Sequence, residues 1–323
     1  METLSPFCLA PVSFTLIAEE DFTLPVFKGS VLRGAFGYAF RRAVCIARQQ
    51  KECKSCILAA GCAYSYIFET PRPATATVMR KYERVPHPFI LRPPDKDNRF
   101  IATGDRLDFG LILVGRAHEY LPYFILTIEE LARRGLGWER GRCRLEQVTD
   151  CDGREIFRPG ADQLQPARRL TGTEIINSAG PPPGRLTLNF VTPLRLVRNR
   201  QIVHGNLSFQ DIFRALLRRL ALLQRFHCDK APEINFRALI EQAGTIVTTA
   251  DTTRWRELRR YSTRQQKTIS TSGLTGALSF AGDFTPFWPA LAVGAYTNIG
   301  KNTSFGLGRF RLEEVPTAND RKI

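Results

Sequence analysis

The chain runs through one order of elements twice, and each pass closes on the same glycine signature. Gly135-Leu136-Gly137 precedes one strand-like run, and Gly306-Leu307-Gly308 precedes another. In the first pass, apolar alternation over residues 11–17 predicts a strand, and an acidic turn follows at 19–21. Residues 28–47 predict a helix, with Val31, Phe36, Phe40 and Val44 at helical spacing. Residues 64–68 and 89–91 are candidate strands, and 107–114 is a clear one. Residues 118–134 read as an amphipathic helix that tolerates Pro122 in its first turn, and a strand over 142–148 follows the glycines. The second pass offers a strand at 185–190 and a helix at 208–226, with Ser208 as N-cap and a stripe of Ile212, Leu216, Leu220 and Leu223. Strands at 268–269 and 274–280, a short helix at 287–296, the glycine loop and a last strand complete it. This order predicts an α+β protein with two tandem ferredoxin-like (RRM-like) domains. Residues 180–184, Gly-Pro-Pro-Pro-Gly, are the natural linker, so the domains are expected over 1–180 and 181–323. A length of 323 residues suits two domains of roughly 150 each. Sheets of this kind are common RNA platforms.

The second glycine loop, residues 299–310, is the richest segment in the chain. It reads Ile-Gly-Lys-Asn-Thr-Ser-Phe-Gly-Leu-Gly-Arg-Phe. Glycines permit close backbone approach, and successive N–H groups in such a turn can form an anion-binding nest. Lys301 and Arg309 bring cations to the same place. A nucleotide P-loop is excluded, because its glycine–lysine order is absent and the helix precedes the loop instead of following it. The charge of the whole chain agrees with a phosphate-bearing partner. Lys plus Arg number 46 against 31 Asp plus Glu, a formal net charge of +15, and most of the cations are arginines. A basic globular chain has the electrostatic footprint of a nucleic-acid binder, with a merely solubilising surface as the plainer alternative.

One further segment is strongly one-sided in charge. Residues 254–267 carry Arg254, Arg256, Arg259, Arg260, Arg264 and Lys267 against the single acid Glu257, with Trp255 and Tyr261 between them. Cations serve the backbone of a single strand, and aromatic rings serve its bases. The alternative is a solvated helix face with Trp255 in the core. No run of about 18 apolar residues is present to cross a membrane, and no charged leader precedes an apolar core near Met1. The expectation is a cytoplasmic protein with no membrane partner. Its eight cysteines are then unsuited to a disulfide framework. Cys45, Cys53, Cys56 and Cys62 cluster with the spacing C-x7-C-x2-C-x5-C and predict a structural zinc site in an insertion of the first domain. An iron–sulfur cluster and reduced, unligated thiols are the alternatives.

Several of these segments together resemble a known family. Residues 27–42, the cysteine loop, Phe190-Val-Thr-Pro-Leu-Arg, Leu216-Leu-Arg-Arg-Leu, Arg260-Tyr-Ser-Thr-Arg-Gln and the C-terminal glycine loop are similar to the CRISPR-associated repeat-processing endoribonucleases, the sixth Cas protein family of the RAMP superfamily. The resemblance runs from about Phe27 to Glu313. It implies two tandem ferredoxin-like domains that bind CRISPR repeat RNA (pre-crRNA). It also implies cleavage without a catalytic metal, by attack of a 2′-hydroxyl on the adjacent phosphodiester, leaving a 2′,3′-cyclic phosphate and mature crRNA. The basic segment with Lys301, Ser304, Arg309 and the neighbouring Asn298 then becomes the RNA-binding set.

The resemblance also directs attention to two positions where similar sequences often carry histidine. Here they hold Tyr38 and Asn298. The four histidines, His87, His118, His204 and His227, lie elsewhere, each with an ordinary reading as turn, cap or helix end. Tyr38 with Lys28, Arg33 or Arg42 is left as the catalytic set, since cations favour the phenolate form of a tyrosine. The alternative is a non-cleaving subunit that holds crRNA among other Cas effector subunits.

Overall fold

The computed structural model describes residues 2–50, 52–79, 84–94, 99–228, 230–262 and 266–314. The chain separates into two units. The first comprises Cys8–Leu170 and Phe226–Cys228; the second comprises Met1–Phe7, Thr171–Arg225 and Asp229–Ile323. The boundary falls before the proline-rich 180–184 segment, and the expected 1–180 and 181–323 partition gives way to one in which each unit takes a short piece from the other half of the chain. The reason is local. Gly172 N–H donates to the Phe7 carbonyl at 2.7 Å, and a Cβ on Gly172 would lie 1.9 Å from the Leu4 carbonyl oxygen. The proline-rich segment is no free linker either: the Trp288 indole N–H donates to the Gly180 carbonyl at 2.8 Å.

In the first unit, β1 (Cys8–Ala18) precedes the short β2 (Phe22–Thr23) and helix α1 (Gly29–Val44). Then come β3 (Phe89–Arg92), β4 (Phe100–Ile101), β5 (Arg106–Val114), α2 (Leu121–Arg134), β6 (Cys143–Asp150) and β7 (Glu155–Phe157). The main sheet has the order β3-β5-β1-β6-β7, and its pairs are antiparallel. Apolar β1 sits in its middle, which explains its burial on both faces. On α1, Phe36 stacks on Phe124 of α2 at 5.2 Å between ring centroids, and Phe40, one helical turn on, meets the same ring edge-on at 5.4 Å. Residues 65–69 depart from the strand expected there and form a π-helix, Ser65–Glu69. Its aromatic content suggests a strand, but Phe68 is claimed by Phe40 at 5.1 Å and Phe89 at 5.3 Å, and packing overrides propensity.

The short β8 (Leu170–Thr171) straddles the boundary, and the second unit runs on from Thr171 into α3 (Gly172–Ser178), which opens on a Thr171–Glu174 capping box. It continues through β9 (Arg185–Leu194), β10 (Val197–Arg198), β11 (Gln201–Ile202), α4 (Phe209–His227) and α5 (Phe236–Gln242). Strands β12 (Val247–Asp251), β13 (Arg254–Arg256), β14 (Arg259–Ser262), β15 (Lys267–Ser270) and β16 (Gly273–Ala281), helix α6 (Trp288–Thr297) and β17 (Phe310–Glu314) follow. The sheet order β12-β16-β9-β17 repeats that of the first unit's β3-β5-β1-β6 once each strand is numbered by its place in its own half. The ferredoxin-like order is therefore present twice. Ile212, Leu216, Leu220 and Leu223 are fully buried, as their spacing requires, and the Ser208 hydroxyl accepts the Asp211 N–H at 3.1 Å as a helix cap. Helix α6 is apolar nearly all round and accordingly buried.

Candidate nucleic-acid interface

The C-terminal glycine loop is laced to β9 along its length. Lys301 N–H donates to the Arg195 carbonyl at 2.9 Å, and Gly308 N–H donates to Pro193 at 3.0 Å. Ile299 N–H closes the loop on the Gly308 carbonyl at 2.9 Å. The Thr192 hydroxyl donates to the Gly306 carbonyl at 2.7 Å and accepts Arg309 N–H at 2.9 Å. Glycine is compulsory at two of these points. Gly308 has φ +69°, and a Cβ there would lie 1.8 Å from the Ile299 oxygen; Gly300 has φ +88°, and a Cβ would lie 2.4 Å from the Arg195 oxygen. These N–H groups are committed to protein acceptors, so the expected backbone nest is not built from them. The loop offers an anion its side chains instead.

Of the predicted loop residues, Lys301 is exposed and Arg309 half-buried. Asn298 and Ser304 are buried, in contrast to the RNA-facing role expected of them. Asn298 adopts φ +59° and its amide donates to the Leu307 carbonyl at 3.1 Å, so it shapes the loop from inside. Beneath it, Arg219 Nε donates to the Thr297 carbonyl at 2.9 Å, and desolvation pushes that guanidinium down to about 9.

The basic 254–267 segment is neither a helix nor one continuous stretch. It forms β13, paired with β16, and the hairpin β14–β15. Arg254, Arg256, Arg259 and Lys267 are exposed. Arg260 lies 4.6 Å over the Phe305 ring, so the hairpin rests on the glycine loop through a cation–π contact. Desolvation lowers the pKa of Arg260 and of Arg195, whose guanidinium donates to the Ser272 carbonyl. Tyr261 lies on β14 beside Arg260, and Arg264 lies outside the described residues.

The catalytic set expected on α1 is not gathered in one place. Tyr38 is 67% exposed, and Arg42, one turn on, lies 6.0 Å from its ring. Lys28, at the helix N-cap, is buried, and the Arg33 guanidinium lies 4.4 Å from the Phe68 ring and 5.1 Å from that of Phe89. The histidines divide similarly. His87 bonds Thr70 at 2.8 Å, His118 bonds the Gly115 carbonyl at 2.9 Å, and buried His227 lies between the Tyr66 hydroxyl at 3.1 Å and the Pro86 carbonyl at 2.7 Å. His204 instead stacks, exposed, on Trp255 with ring centroids 4.0 Å apart. Sequence reasoning missed this pair, because nothing in the local pattern of either residue points to the other.

Cys45, Cys53, Cys56 and Cys62 line one cavity of about 20 Å³ with Arg41, Gln50, Tyr64 and Ser65. Burial, foremost, and the nearby Glu69 carboxylate push the Cys53 thiol up. Among the described residues, no group of three or more His, Cys, Asp or Glu side chains is arranged to hold a metal ion. Among the described residues, no helix is long and apolar enough to cross a membrane.

Residues 6–169 match a family model described as an N-terminal domain, AF_1859_N, and residues 188–310 match one described as CRISPR-associated endoribonuclease Cas6. No curated protein matches the sequence. Among solved structures, a Thermus thermophilus Cas6 has a TM-score of 0.54 at 16% identity, over 95% of this chain and 99% of that one. A Cas6 product complex has a TM-score of 0.51 at 21% identity, over 95% and 100%. A partial Cas6-RT-Cas1–Cas2 complex has a TM-score of 0.60 at 13% identity, over 96% of this chain. The present chain spans 46% of the chain in that structure and 29% of the one in a second Cas6-RT-Cas1–Cas2 complex. At these identities the likenesses establish the fold. The match over residues 188–310 supports a Cas6/RAMP-type CRISPR repeat-processing family.

Proposed function

From that match we propose that the chain binds CRISPR repeat RNA through its second unit and cuts it without a catalytic metal. The products are a 2′,3′-cyclic phosphate and mature crRNA. The observation that carries the binding half is the Arg260 guanidinium on Phe305. It ties a hairpin bearing exposed Arg259 and Lys267 to the loop bearing exposed Lys301, which suits a phosphate backbone. In the cleavage step the 2′-oxygen gives up its proton as it attacks phosphorus, the P–O5′ bond breaks, and the 5′-oxygen takes a proton. The reaction needs a proton acceptor, a proton donor and a cation for the phosphorane charge. Tyr38 supplies an exposed phenol that donates the proton to the 5′-oxygen, Arg42 supplies the cation beside it, and solvent water takes the 2′-hydroxyl proton. Lys28 and Arg33, turned inward, serve the helix.

That inward turn also favours a second reading, a subunit that holds crRNA among other Cas proteins and does not cut. Labelled repeat RNA incubated with stoichiometric protein in EDTA separates the two. Cyclic-phosphate product is expected, with a large rate loss in Tyr38→Phe. Binding without product supports the second reading, and full activity in Tyr38→Phe removes Tyr38 from the mechanism. Equal affinity for DNA of the same sequence argues against both.

We also assign a structural zinc ion to Cys45, Cys53, Cys56 and Cys62. The support is that all four line a cavity with room for about one small atom. Zinc would draw them into a tetrahedron, displace their thiol protons and fix the loop that follows α1. Protein purified without chelator should carry about one zinc per chain; elemental analysis finding neither zinc nor iron overturns the assignment.

A further inference from the structure

We infer that the His204–Trp255 pair is a built platform for one unpaired nucleobase, with His204 as the face that meets the base. The inference rests on the RNA-binding reading above and adds a specific subsite to it. The ring centroids lie 4.0 Å apart with 26° between the planes, the distance of stacked rings. Trp255 is half-buried and held on β13, whose register pairs it with Leu274. His204 is exposed on a loop, so the tryptophan forms the floor and the imidazole the open surface.

The loop around His204 forms a cleft of about 580 Å³, lined among others by Asn199, Gln201 and Asn206. Three side-chain amides offer both donors and acceptors, the chemistry that reads the edge of a base. Asn199, Arg200 and Asn206 hold φ values of +52°, +65° and +53°. Positive φ at both Asn199 and Arg200 is what the two-residue turn joining β10 to β11 requires, and that turn fixes the rim carrying Asn199. Flanking Trp255 on β13, Arg254 and Arg256 alternate to the opposite face, so aromatic and cationic contacts leave the same strand on opposite sides. A single strand on the His204 side would meet a ring for its base, while the two arginines face the other side of the strand.

This reverses the role expected of Trp255. One of its faces is already covered by His204, so a base stacks on the imidazole and Trp255 supports it. The three other histidines are held by hydroxyl or carbonyl partners and present no comparable open face.

The test uses full-length protein and repeat RNAs carrying 2-aminopurine at successive unpaired positions. Wild type should quench one position far more than the rest. His204→Ala should lose that quenching and bind about tenfold more weakly, the loss of one stacked base. His204→Phe, which keeps an aromatic face, should restore both, an outcome that a purely structural role for His204 does not predict. Wild-type binding with unchanged affinity and quenching in His204→Ala overturns the platform and leaves the RNA-binding reading intact. Failure of wild type to bind repeat RNA at low salt overturns both.

Discussion

The two units share a strand order and a helix-to-strand glycine turn, yet they use that turn in opposite ways. In the first unit it closes on itself. Leu136 N–H donates to the Gly141 carbonyl at 2.9 Å, and a Cβ on Gly135 would lie 1.9 Å from the Arg140 oxygen. In the second unit the equivalent connection is longer, is laced to β9, and carries Lys301, Phe305 and Arg309 outward or half-outward. The edges of the sheets differ in the same sense. Strand β3 is short and almost wholly buried, whereas β12 is exposed throughout and leads into the arginine-rich β13 and its hairpin. One fold thus serves once as packing and once as a ligand surface, and the difference lies in what the connections carry, as expected for function grafted on a common fold.

The sharpest way to break this comparison is to put alanine at the two glycines. Gly308→Ala and Gly135→Ala should each cost on the order of 2–3 kcal/mol of stability, since both meet backbone atoms at positive φ. Only Gly308→Ala should also abolish repeat-RNA binding; equal loss in Gly135→Ala, measured on protein still folded by circular dichroism, would show that both turns serve RNA. A smaller effect is expected from Arg260→Ala. Its RNA affinity should fall about tenfold and the slope of log affinity against log salt should drop by about one. Arg142→Ala, which removes an exposed ion pair with Glu20 in the first unit, should leave RNA binding unchanged and shift the thermal unfolding midpoint little.

A separate effect, on stability and not on RNA binding, is a pH dependence in the first unit. Burial opposes ionisation of Asp150, but the N–H groups of Asp152, Arg154 and Arg168 and the Arg154 guanidinium outweigh it and hold its carboxyl below the usual range. A depressed carboxyl contributes stability above its unfolded pKa of about 3.9 and loses it as pH falls through the folded value. Asp150→Asn should therefore cost about 1–2 kcal/mol at pH 7, and the deficit should shrink on acidification below about pH 4. A deficit independent of pH in urea titrations would assign Asp150 a packing role alone.

Periodicity made the packed half of the fold legible. The α4 stripe from Ile212 to Leu223 is buried at each predicted position, because a helix must hide a stripe spaced at its own period. The element order made the sheet topology legible, down to its repetition. Long-range choices stayed hidden. The Ser65–Glu69 segment follows its aromatic partners rather than its β propensity, and the Met1–Phe7 segment joins the second unit through contacts near Gly172 that no local pattern encodes. At the candidate site, composition identified the basic segment and the glycine loop, but not which side chains face outward. Asn298 and Ser304 look polar enough to touch RNA and are instead spent inside the loop.

The division of Met1–Phe7 and Phe226–Cys228 between the units has a consequence for synthesis. A ribosome delivers the chain from the N-terminus, so Met1–Phe7 emerges well before the strands it must join. The bulk of the first unit, Cys8–Leu170, is complete next, yet its last piece arrives only with residues 226–228. The full set of residues in each unit is therefore present only once sequence made after residue 170 has emerged, so the order of synthesis links the completion of both.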